Sequence, residues 1–65
     1  MSASSSYTDN GRSFAVLAAY PATEAGAKET NEYLIEHPKA RVLKITADQI
    51  IVVSKDDAGI PVTAE

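Results

Sequence analysis

Cysteine and tryptophan are absent from this chain, and histidine occurs once. Without cysteine there is no disulfide to staple a small fold, and no thiolate to hold zinc or an iron–sulfur cluster. A single imidazole, His37, excludes a multi-histidine metal centre within one chain. The three glycines, Gly11, Gly26 and Gly59, are too scattered for a loop that wraps phosphate. No cofactor is expected from this composition, and no small-molecule substrate is evident. Long apolar runs are missing as well, since nothing approaches the roughly 20 residues of a membrane span. The opening "MSASSSYTDNGR" lacks the basic start and apolar middle of a signal peptide. The expectation is a soluble, cytoplasmic protein, which the lack of cysteine fits. A net charge of −3 brings no general attraction to nucleic acid or to an anionic membrane.

These absences matter more because the chain is short. At 65 residues it holds one domain, near the size at which a single core is marginal. Disulfides and metals are the usual remedies for that size, and both are excluded, which leaves association.

What is present reads as an α+β fold. Residues 1–11 are serine-rich and polar without periodicity, and are expected to be a disordered arm in front of a domain over residues 12–65. The run "SFAVLAAY" predicts a strand ended by Pro21, although its two faces are both apolar. Thr23 is placed to cap a helix that runs to His37, with Pro38 beyond it. At 100° per residue, Ala27, Thr30, Tyr33 and Leu34 gather on one side, and Glu24, Lys28, Glu29, Glu32 and Glu36 on the other. Gly26 marks close approach of that helix to the sheet. "ARVLKIT" and "IIVVSK" predict two β-branched strands joined by a turn around "ADQ". "KDDAGI" is a turn, and "IPVTAE" could add a short edge strand, with Pro61 against it.

The resulting order is β-α-β-β: a three-stranded, mainly antiparallel sheet with one helix on one face. An antiparallel arrangement with "IIVV" at the centre suits the pattern best. The alternative makes the first two strands parallel neighbours through a right-handed crossover.

Chemistry-bearing residues are sparse. His37 has only Tyr33 and Glu36 as near neighbours in sequence, and these form no catalytic constellation. A capping or surface role is the plainer reading, so no enzyme activity is expected. Asp48 is separated from Asp56 and Asp57 by a whole strand, roughly 20–25 Å, so the three cannot share a cation. Turn chemistry accounts for them. Lys39, Arg41, Lys44 and Lys55 are the only basic concentration and the candidate contacts of an alternative, nucleic-acid-binding function. On a regular strand, however, Arg41 and Lys44 point to opposite faces, and no aromatic interleaves with the charges.

One helix covers one sheet face, yet the strands are apolar on both. The expectation is therefore a small interaction or adaptor module, homodimeric through the bare face or bound to a protein partner there. Ala15, Leu17, Ala19, Ile51 and Val53 are the candidate interface.

Overall fold

The computed structural model describes residues 5–62. Its first difference from expectation lies at Asn10-Gly11. Both residues have positive φ, 56° and 77°, as a two-residue hairpin turn requires. Ser6–Asp9 therefore forms a strand, β1, paired antiparallel with Arg12–Pro21, β2. Residues 6–11 are thus part of the folded domain, while residues 1–4 of the expected arm lie outside the described residues. Polarity without a long apolar run hid a strand whose one inward anchor is Tyr7.

The rest follows the predicted order. Helix α1 spans Glu24–Glu36, β3 spans Ala40–Ile45, β4 spans Gln49–Ser54, and a two-residue β5 spans Ile60–Pro61. The sheet runs β1-β2-β4-β3 with every pairing antiparallel, so "IIVV" is central between β2 and β3. A β-branched strand apolar on both sides belongs where both sides are covered. The sheet has five strands, since β5 pairs with Arg12 and Ser13 on the same edge of β2 that β4 occupies further along.

Two bulges shape this sheet. Val16 pairs with Val53 but Ala18 with Val52, which leaves Leu17 as an extra residue in β2. Val42 pairs with Val52 and Lys44 with Ile51, which leaves Leu43 as an extra residue in β3. Bulges bend a strand and increase its twist, and here they flank the same stretch of β4.

The bend answers what covers the second face. Asp9 stands opposite Arg12, whereas Lys44 is level with Ile51 and Ala19, seven residues further along β2. In a flat sheet that offset is roughly 23 Å. Lys44 Nζ nevertheless lies 3.2 Å from Asp9 Oδ1. The hairpin of β1 and the first half of β2 therefore curls back across the face opposite the helix. Phe14 packs there with Ile51 and Val53, and Tyr7, Val16 and Leu43 close around them. Phe14, Ile51 and Val53 are 6%, 3% and 0% exposed.

The helix closes the other face. Thr23 caps it as expected, its hydroxyl accepting from the Gly26 N–H at 3.1 Å. Gly26 and Thr30 are its buried residues, with Tyr33 and Leu34 half-buried and Ala27 exposed. The contact face is thus turned toward Gly26 relative to the predicted one. A Cβ at Gly26 would overlap the Pro21 carbonyl oxygen and stand 2.8 Å from its carbon, so close approach is what this glycine permits. Thr30 returns its hydroxyl to the Gly26 carbonyl at 2.7 Å, which satisfies it in a buried position. Glu24 and Lys28, one helical turn apart, form no ion pair. Among the described residues, no helix is long and apolar enough to cross a membrane.

Candidate functional site

The five residues expected to form an interface fall on two faces and at two depths. The bulge at Leu17 is the cause. Ala19 pairs with Ile51 and shares its side of the sheet, together with Val53. Ile51 and Val53 are core residues beneath the hairpin. Ala15 lies on the side opposite Phe14, and Leu17 opens toward the end of the helix. The single apolar sheet face inferred from alternation does not exist, because an unseen extra residue shifts the alternation partway along β2.

Leu17 instead helps to line a cleft of about 440 Å³ at the C-terminal end of α1. It is 49% exposed. The helix stops at Glu36, two residues before Pro38, while the sheet continues, so the sheet beyond the last turn is left without cover. Tyr33, His37 and Pro38 form one wall and Leu17, Ala40 and Ser54 the other, with Glu36 and Lys39 at its margins. The His37 ring stacks on Tyr33 with centroids 4.0 Å apart and planes 21° from parallel. His37 Nδ1 is 3.0 Å from the Tyr33 carbonyl oxygen, and its backbone N–H donates to the same oxygen at 2.8 Å. With a proton on Nδ1 the ring donates to that carbonyl, which holds it flat against Tyr33. This is the capping role that the sequence suggested for His37.

A second cleft, of about 310 Å³, adjoins the first and shares Tyr33 and Glu36 with it. Tyr20, Glu29 and Glu32 complete it. The Tyr20 and Tyr33 rings are 6.2 Å apart and tilted by 60°. The helical spacing of the three glutamates was legible in the sequence, whereas Tyr20 beside them was not. That neighbour depends on which face of β2 the helix covers.

The basic residues are arranged differently from expectation. The extra residue Leu43 turns Lys44 onto the same side as Arg41, since their partners Ile51 and Val53 are two residues apart on β4. Both are engaged within the chain: Arg41 Nη2 donates to the Asp57 carbonyl at 3.1 Å, and Lys44 pairs with Asp9. Lys39 and Lys55 are neighbours through the Lys55 N–H and the Lys39 carbonyl. Asp57 completes the β2 edge. Its carboxylate accepts from the Ala15 N–H and the Gly59 N–H, each at 2.9 Å, in the gap between the β5 and β4 pairings. Asp48 and Asp56 sit in turns closed by the hydroxyls of Thr46 and Ser54. No group of three metal-ligating side chains occurs among the described residues.

The Lys44–Asp9 pair carries a pH prediction. The hydrogen bond that Lys44 donates to Asp9, then the Asp9 charge, hold the Lys44 ammonium above the ordinary lysine value of 10.5. A raised folded pKa means the pair adds stability at neutral pH, which is lost as pH rises beyond about 10.5. The pair is exposed, so its contribution is small. In an Asp9→Asn variant, Lys44 is expected to titrate at lower pH, read from its Cε chemical shift. An unchanged titration would place the hairpin tip away from β3.

No protein-family model, curated protein or solved structure matches this chain.

Proposed function

We propose that this protein is a small interaction module, a binder rather than an enzyme, whose docking surface is the groove beyond the end of α1. One observation carries the reading: a half-exposed leucine on a strand bulge faces a fixed wall of Tyr33, His37 and Pro38 across an open cleft. Aromatic walls with a buried floor suit the insertion of a single apolar side chain, and such anchors supply most of the energy of small interfaces. The occupant is a segment of another protein. The homodimer through the sheet face loses its motivation, because Ile51 and Val53 are already covered by the hairpin.

The nucleic-acid alternative is the weaker reading. Arg41 and Lys44 are both committed to partners within the chain, and the half-buried aromatics Tyr20 and Tyr33 stand among glutamates rather than lysines.

Panning a random heptapeptide library against the immobilised full chain tests the proposal. Peptides that bind the wild-type protein should lose at least about tenfold in affinity against Leu17→Glu, because a carboxylate set against apolar groups without a partner costs at least about 1.4 kcal/mol. The variant should keep its circular dichroism spectrum, since Leu17 is half in water. A folded Leu17→Glu protein that binds the same peptides equally well would remove the groove as the docking surface.

A further inference from the structure

The apolar groove alone does not say what kind of segment it takes, but the electrostatics at its open end do. Glu29, Glu32 and Glu36 are exposed and spaced by three and four residues along one flank of α1. Like charges at this spacing repel and weaken a helix. Two of them stand toward the helix C-terminus, where the backbone dipole is already negative and where the last turn contains no basic residue. The one ion pair among the described residues is Lys44–Asp9, so none of the three glutamates is neutralised there. The flank therefore carries three carboxylates against one lysine, Lys28, which shares that side of the helix without forming an ion pair, and its net charge is negative.

Two tyrosines lie against that flank. Tyr20 and Tyr33 are half-buried, held at 6.2 Å and 60°, with the glutamates around them. Aromatic faces framed by carboxylates favour a cation over a neutral group, through the ring quadrupole and through charge. The apolar groove joins this cleft at Tyr33 and Glu36. Lys39 lines the apolar groove but not the acidic cleft.

We infer that the module's partner presents a lysine or arginine beside an apolar residue on an exposed segment. The apolar side chain enters between Leu17 and the Tyr33–His37 wall, and the cation lies against Tyr20 and Tyr33 among Glu29, Glu32 and Glu36. The inference rests on the groove reading above and adds the chemistry of the partner.

The composition of the selected heptapeptides, together with a Glu29→Gln/Glu32→Gln/Glu36→Gln variant, provides the test. Peptides selected by the wild-type chain should be enriched in arginine or lysine near a leucine, isoleucine or aromatic residue. Their affinity should fall about fivefold or more against the triple variant, and should also fall when salt is raised from about 0.05 M to about 0.5 M. The triple variant should be no less stable than wild type, since it removes repulsion within the helix. Apolar peptides without basic enrichment, still dependent on Leu17, would overturn the inference while leaving the groove reading in place. No enrichment over Leu17→Glu would overturn both. A chain that sediments as a dimer with this groove closed would equally contradict a basic partner.

Discussion

Replacing Gly26 by alanine is expected to unfold this protein or leave it barely folded, although alanine is the better helix former by about 1 kcal/mol. Gly26 lies in the first turn of α1, and its missing side chain is where the Pro21 carbonyl passes. The added methyl meets backbone rather than a side chain that could swing away, so α1 and the end of β2 must separate. That separation strains the Thr23 cap and the buried bond from Thr30 to the Gly26 carbonyl. Filling occupied core space ordinarily costs about 1–3 kcal/mol, and a clash with fixed backbone belongs at or above the upper end. Sterics therefore outweigh propensity. The same first turn supplies a control: Ala25→Gly, at an exposed position, should lose only about 1 kcal/mol. Urea unfolding measures both, and a Gly26→Ala midpoint at or above wild type would refute the close approach of helix and strand.

Phe14→Ala is expected to be comparably severe, for a different reason. Phe14 is the ring that the curled hairpin lays over Ile51 and Val53, and the backbone of the β5 approach closes on it. Truncating a buried phenylalanine costs about 3–5 kcal/mol, and a core of this size rarely supplies more than that in total. The variant should expose Ile51 and Val53, bind a dye specific for apolar surface, and show no cooperative urea transition. Leu17→Ala removes a side chain of similar class from a half-exposed site and should cost far less. The contrast separates the two roles. A Phe14→Ala protein with a near wild-type transition would mean that the hairpin does not cover the sheet.

Some of this architecture was legible in the sequence. The helix, its Thr23 cap, its stop before Pro38 and the tight spot at Gly26 are local matters, decided within a few residues. The central place of "IIVV" follows from β-branched residues apolar on both sides. The hairpin was also readable in principle, since Asn10-Gly11 is the strongest short turn signal known for paired strands. It was masked by a serine-rich flank whose composition resembles a tail. The bulges at Leu17 and Leu43 left no mark, because an extra residue looks like any other until its partner strand is known. Those two residues decide which side chains share a face. They separate Ala19 from Leu17 and join Lys44 to Arg41, while the curled hairpin buries Ile51 and Val53 and leaves Ala15, Leu17 and Ala19 exposed. The acidic flank of α1 was visible as helical spacing, but its meeting with Tyr20 and the Leu17 groove depends on how the helix lies on the sheet.

The central claim is that the second face of the sheet is closed by the chain's own N-terminal hairpin. An isotope-filtered NMR experiment on a mixture of labelled and unlabelled chains tests it directly. Nuclear Overhauser contacts from the Tyr7 and Phe14 rings to the Ile51 and Val53 methyl groups should appear within single chains and vanish from the spectrum filtered for contacts between chains. Contacts to those methyl groups that arise only between chains would contradict the account and return the sheet face to a partner.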